Sequence, residues 1–132
     1  IQPSKRNYMK KILLTVLIIW TATSLNAQNA EWKEMHAFHN IMSATFHPAE
    51  ENNLQPLKDS AAVLVKRAKT WKKSIVPEGY NGSLTGPILE KLVGQCKKIQ
   101  AAVVSKQQDA ELKMLITSAH DTFHEIMEKC RQ

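Results

Sequence analysis

The residues of this chain best suited to bind a metal or a haem are its histidines. There are five of them, and all lie in two stretches that are far apart in the sequence: His36, His39, His47, His120 and His124. His36 and His39 are three positions apart and His120 and His124 are four apart, so each pair lies on one face of a helix. Two imidazoles on one helix face can share a metal ion. The pattern therefore predicts a binding site for a transition metal or a haem.

Other side chains near the histidines could contribute to such a site. A carboxylate could join the imidazoles on Zn, Cu or Ni, and three are close in sequence: Glu34, Asp121 and Glu125. Three methionines are also near, and their thioethers would favour copper: Met35, Met42 and Met127. Core packing is the alternative role for the methionines. For the histidines the alternative is a solvated or structurally buried side chain.

The first 27 residues have the pattern of a secretory leader. Met9-Lys10-Lys11 is a basic segment, the run 12–20 is apolar, and a polar segment of small residues ends at Ala27. The apolar run is too short for a membrane span, which needs about 20 residues. We therefore expect residues 1–27 to be upstream sequence plus a cleaved signal peptide, and residues 28–132 to be a single periplasmic domain.

Charge and motifs exclude several classes of function. The chain has 18 basic and 12 acidic residues, but four of the basic residues belong to the leader, so the mature domain has 14 against 12 and a net charge of +2. Nucleic-acid binding therefore has no electrostatic support. The sequence has no nucleophile motif, no acid–base carboxylate pair and no phosphate-binding glycine loop. We expect a protein that is not an enzyme and that does not associate with membranes after leader cleavage.

Four segments of the mature domain repeat apolar residues at steps of three and four, as amphipathic helices do. The four stripes are Trp32, Met35, His39, Met42 and Phe46; Leu57, Ala61, Leu64, Ala68, Trp71 and Ile75; Leu89, Leu92, Cys96, Ile99 and Val103; and Leu112, Ile116, Ala119, Phe123, Ile126 and Cys130. Asn29 is the expected N-cap of the first helix, and Pro48 its end. Pro56 should open the second helix, Pro77 stop it, and Pro87 open the third.

These helices predict an all-α, up-down-up-down four-helix bundle, because the stripes suit bundle packing and two of the connections are short. Helices 1 and 4 are then antiparallel neighbours. Aligning the start of one with the end of the other puts His36 level with His124 and His39 near His120. The two pairs would converge between the helices.

The two cysteines are not expected to form an internal disulfide. If helices 3 and 4 turn near Lys106, the residue opposite Cys96 is about 14 positions from Cys130, roughly 20 Å at helical rise. A disulfide needs Cα atoms within about 7 Å. Cys96 is expected in the core, and Cys130 as a free, terminal or intermolecular thiol, which leaves a homodimer possible.

The pattern also resembles the periplasmic four-helix cytochromes, cytochrome b562 and cytochrome c-prime. Leu92-Val93-Gly94-Gln95 and Phe123-His124 look like segments of cytochrome b562, and Met35 lies where that family has its methionine ligand. The resemblance implies a b-type haem with Met35 and His124 as axial ligands, and His120 as the substitute. Both cysteines of the c-prime haem-attachment motif are missing before His120, which rules out thioether-linked haem there.

The leading hypothesis is a metal-binding bundle with His36, His39, His120 and His124 as ligands, acting in metal sequestration, delivery or sensing. The second hypothesis is an electron carrier with haem b. The third is a helical interaction module whose histidines are structural or respond to pH.

Overall fold

The computed structural model describes residues 31–132, which form four α-helices. Their bounds are α1 Lys33–Glu50, α2 Gln55–Lys73, α3 Gly82–Val104 and α4 Asp109–Lys129. The predicted leader, residues 1–27, and the expected cap Asn29 lie outside the described residues. Within residues 31–132, no helix is both long and apolar enough to cross a membrane.

The helices form an up-down-up-down bundle, as predicted. Each helix packs against its neighbours in sequence, and α1 also packs against α4. Contacts between helix ends show the directions: the Trp32 indole N–H at the start of α1 donates to Ser74 Oγ at the end of α2, at 2.7 Å. At the opposite end, Lys113 Nζ near the start of α4 donates to the Glu50 carbonyl at the end of α1, at 3.0 Å.

The apolar stripes meet in one core that runs the length of the bundle. All the predicted positions of α4, from Leu112 to Cys130, are buried. The predicted positions of α2 are buried except Ile75, and those of α3 except Val103, which is half-buried. Burial of these apolar surfaces is the main force that holds the four helices together.

The buried stripe of α1 differs from the prediction at one position. Phe38 is 0% exposed and lies in the core, whereas His39 is exposed. Steps of three and four starting at Met35 pass through either residue, so periodicity alone does not distinguish them. Burial of a phenyl ring is favourable, while burial of an imidazole needs a hydrogen-bond partner, and the fold therefore turns Phe38 inward.

Two predicted helix boundaries are wrong because prolines are accommodated inside helices. α1 continues through Pro48 to Glu50, and α3 begins at Gly82, five residues before Pro87. Each proline leaves one carbonyl unpaired four positions earlier, at Ala44 and Ser83, and both of these residues are exposed, so water can satisfy it.

The ends of α2 and α3 are set by polar side chains. Asn81 caps α3, because its side-chain oxygen accepts a hydrogen bond from the Leu84 N–H at 3.2 Å. α2 stops at Lys73, before Pro77, because Ser74 is extended and its hydroxyl donates to the Trp71 carbonyl at 2.6 Å. Ile75 consequently lies outside the helix.

Both cysteines are unpaired and buried. Cys96 lies in the core of α3, as predicted. Cys130 is also 0% exposed, although it is close to the end of the chain. The cause is a pair of backbone hydrogen bonds that hold the end of the chain against the α2–α3 connection: Asn81 N–H to the Cys130 carbonyl, and Gln132 N–H to the Gly79 carbonyl.

Candidate metal centre

The most promising site is the histidine pair on α4. Nε2 of His120 and Nε2 of His124 lie 3.2 Å apart, one helical turn from each other. Two nitrogens bound at about 2.0–2.1 Å to one tetrahedral ion lie about 3.3 Å apart. The pair therefore has the separation that two ligands of a single ion need. Without an ion, one ring donates to the other, which requires opposite tautomers.

Phenylalanines from the two helices stack on the histidines along the seam between α1 and α4. The His120 ring lies parallel to Phe46 of α1, with centroids 3.7 Å apart. In the same way His39 of α1 stacks on Phe123 of α4 at 5.0 Å. Both phenylalanines are buried, so each provides a rigid face at the edge of the core. These two stacks hold His120 and His39 at the surface of the seam.

The environment of His120 favours the neutral imidazole. Burial lowers its pKa, and the positive charge that His124 can carry lowers it further. Asp121 and Glu50 act in the opposite direction, and His47 adds to the lowering. A neutral ring has a free nitrogen lone pair, which is the form that binds a metal.

His47 lies near this group but has a partner of its own. Its Nδ1 is 3.0 Å from Glu50 Oε2, one turn along α1, in an exposed pair. The carboxylate favours the tautomer in which Nδ1 carries the proton, and this leaves Nε2 free to accept a hydrogen bond or a metal. The sequence analysis includes His47 among the five histidines, but the set of four predicted ligands does not contain it.

The register of α1 and α4 differs from the predicted one. His120 lies against Phe46 rather than near His39, and His39 lies against Phe123. Contacts between the two helices are thus shifted by up to two turns of α1, since the predicted register relied on helix ends alone. His36 is exposed on the first turns of α1 and makes no side-chain hydrogen bond or ring contact within residues 31–132.

The structure thus brings His120 and His124 together, places His39 on the neighbouring phenylalanine, and leaves His36 at the outer end. In the part of the chain that the structure describes, no group of three or more His, Cys, Asp or Glu side chains is arranged to hold a metal ion. A third ligand requires a side-chain rotation or a water molecule.

The expected auxiliary ligands have other contacts. Glu125 lies between two lysines, 3.7 Å from Lys91 and 3.5 Å from Lys129. Met42 is buried in the core, as the packing alternative predicted, and Met127 is half-buried against it. A packing role therefore accounts for both methionines.

The residues implied as haem ligands do not fit a porphyrin in this packing. Met35 is buried, and its sulfur accepts a hydrogen bond from the Tyr80 hydroxyl at 3.6 Å, whereas His124 is exposed. The interior around Met35 is filled by rings: Trp32 is 5.7 Å from Trp71 and 5.1 Å from Tyr80 between centroids. A planar macrocycle could enter only by displacing this aromatic cluster.

Comparisons with family models, with curated proteins and with solved structures found no significant match to this chain.

Proposed function

We propose that this protein is an exported, non-enzymatic four-helix bundle that binds a single transition-metal ion, Zn, Cu or Ni, at the α1–α4 seam. His120 and His124 are the principal ligands, and His39 is the ligand from α1. Its role is sequestration, delivery or sensing of the metal. His36, one turn from His39 toward the end of the bundle, contributes little.

The observation that supports this proposal is the 3.2 Å separation of the two Nε2 atoms. Two histidines one turn apart on a helix have many rotamers in which their nitrogens diverge, and here they converge. Stacking on Phe46 restricts the His120 ring, and the lowered pKa keeps it neutral. Both features reduce the free-energy cost of forming a metal site.

The test uses protein that has been exported natively and purified without a chelator or a histidine tag. Elemental analysis should find a near-stoichiometric metal, and calorimetric titration of the chelated protein with Zn²⁺ or Cu²⁺ should show one site. An intact-protein mass that corresponds to a chain starting at Gln28 would confirm leader cleavage.

Alanine variants assign the ligands. The double variant H120A/H124A should lose the site, and H39A should weaken binding at least tenfold, which corresponds to about 1.4 kcal/mol. H36A is the control, since it removes another exposed histidine of α1, and its affinity should be unchanged. Equal affinities in H120A/H124A and the unaltered protein would disprove the assignment.

The same preparation separates the other two hypotheses. A Soret band would indicate haem, with Met35 and His124 as its ligands, and would show that the aromatic cluster opens. Absence of both metal and haem, with no rise in melting temperature on adding metal, would favour the interaction module. The Phe–His stacks support that third function independently, because they give His39 and His120 a packing role without any ligand.

A further inference from the structure

The charges of the bundle are divided between its two halves. α2 has six basic residues and one acidic residue, and α3 has three and one. In α4 the balance is reversed, with five acidic residues against two basic ones, and α1 has two acidic residues and one basic. α2 and α3 are neighbours and form one side of the bundle, and α1 and α4 form the other side. The small net charge of the mature domain is therefore the sum of a strongly basic face and an acidic one.

Part of the basic face is concave. A groove of about 290 Å³ lies between α2 and α3, and its walls are Lys69, Lys72, Lys73, Glu90, Val93 and Lys97. Lys72 is paired with Glu90. The other three lysines of the groove make no ion pair within residues 31–132. Three lysine ammonium groups without an ion-pair partner favour a ligand with several negative charges.

Exposed apolar side chains lie at the end of the bundle next to this groove. Ile75, two residues after Lys73, is 91% exposed, and Leu84 in the first turn of α3 is 51% exposed. Val76 lies between them in sequence and is partly exposed. A large aliphatic side chain left almost completely in water is uncommon in a stable soluble surface and marks a contact site when it has apolar neighbours.

We propose that this end of the bundle, Ile75, Val76 and Leu84 together with Lys69, Lys73 and Lys97, adsorbs to an anionic phospholipid bilayer. The lysines contact lipid phosphates, and the aliphatic side chains enter the boundary between headgroups and acyl chains. A bilayer accommodates both kinds of side chain at once, because its phosphates and its apolar layer are adjacent.

The charge division orients the molecule on such a surface. With this end in contact, the basic α2–α3 side tilts toward the lipid, and the acidic α1–α4 side is repelled and faces solution. The histidine pair lies on that second side, so a bound metal would stay accessible. The sequence predicts no membrane association after leader cleavage, and it places Ile75 in the apolar stripe of the second helix. Its exposure is a consequence of Ser74 ending α2.

The experiment is co-sedimentation of the exported protein with vesicles of phosphatidylcholine, with and without about 30% phosphatidylglycerol. We expect binding only to the anionic vesicles, weakening as salt rises. The triple variant K69Q/K73Q/K97Q should bind on the order of a hundredfold more weakly, since each lysine near an anionic surface contributes about fivefold. I75S should reduce binding about tenfold, through lost apolar burial.

Matched controls come from the opposite end of the bundle. K58Q/K106Q/K113Q removes the same charge, and V104S removes an aliphatic side chain that is 77% exposed at the end of α3. Neither should weaken binding more than about threefold. Equal binding to neutral and anionic vesicles, or equal losses in the groove variant and its control, would overturn the proposal. So would unchanged binding of I75S, because the apolar tip would then not enter the bilayer.

Discussion

At the scale of single residues, the α1–α4 seam shows how a partly buried histidine is held by a ring stack and by a second imidazole. His120 has one face against Phe46 and its Nε2 against His124. The stack supplies dispersion and covers apolar surface, while the edge of the ring stays wet. The same side chain is thus both a packing element and a principal ligand of the proposed metal site.

His120 should make the metal-free protein less stable in acid. Its pKa is lowered in the folded state by burial and by His124, so the unfolded chain binds the proton more tightly. The stabilisation is complete above the unfolded pKa of about 6.5 and is lost as the pH falls through the folded value. Urea midpoints measured in chelated buffer between about pH 7.5 and pH 5 should show this decrease.

Variants identify the titrating group. In H120Q the decrease over the same pH range should be smaller than in the unaltered protein, because one proton-linked site has been removed. H36Q replaces a histidine that makes no ring or side-chain hydrogen-bond contact within residues 31–132, and it should retain the full decrease. A decrease of the same size in H120Q would show that another group is responsible.

At the scale of helices, each element depends on two features of the sequence: the spacing of its apolar residues and the residues at its two ends. The spacing predicts the buried face correctly in α2, α3 and α4, where nearly every predicted stripe residue is buried. In α1 two stripes fit the same spacing, and the difference between Phe38 and His39 was decided by packing against Trp71 and Phe123.

The choice between these stripes can be tested by truncation. F38A should destabilise the metal-free protein by about 3–5 kcal/mol, as deletion of a buried phenyl ring does. H39A removes an exposed ring that covers one face of Phe123 and should cost less than about 1 kcal/mol. Chemical denaturation of the two variants measures both values. A larger loss of stability in H39A than in F38A would show that His39 belongs to the buried stripe, as the sequence predicts.

The N-cap of α3 provides a second test at this scale. Asn81 is the N-cap whose side chain accepts a helix N–H, and N81A should cost about 1 kcal/mol. Q108A is the matched control, because Gln108 is the N-cap of α4 and makes no side-chain cap bond. The midpoint of denaturation of Q108A should equal that of the unaltered protein. Equal losses in the two variants would mean that the cap bond does not stabilise α3.

At the scale of the whole molecule, the bundle is closed at one end by residues 130–132. Backbone hydrogen bonds join Cys130 and Gln132 to the α2–α3 connection, and the Arg131 guanidinium lies 5.9 Å from the centroid of the Tyr80 ring. Together these contacts bury the Cys130 thiol. They also fix the connection from which Ile75 projects, so the proposed membrane contact rests on an anchored loop.

Both thiols should therefore be protected in the native protein. Burial raises the pKa of Cys96 to about 12, which leaves almost no thiolate near pH 8. Cys130 is equally buried, so an aromatic disulfide reagent should modify neither cysteine in buffer and both in guanidinium chloride. A non-reducing gel should show no disulfide-linked dimer. One rapidly reacting thiol in buffer would mean that the C-terminal contacts open.

The sequence alone determined the secondary structure and the fold class of this protein. The apolar stripes determined four helices, their approximate limits and the bundle, because burial of a continuous apolar face is the main driving force of folding. The sequence also determined which side chains could bind a metal. The leader it predicted, residues 1–27, lies outside the described residues and stays a prediction.

Tertiary structure decided which of those side chains meet. The register of α1 on α4 depends on how Phe38, Phe46 and Phe123 interdigitate, and no local pattern encodes it. That packing put His120 against Phe46 and left His36 apart. Two hydrogen bonds of Ser74 likewise decided that Ile75 is exposed. The Trp32 indole N–H donates to the Ser74 hydroxyl, a contact between residues 42 positions apart. The Ser74 hydroxyl donates to the Trp71 carbonyl within a single turn. Contacts between distant residues are the part of the fold that periodicity cannot supply.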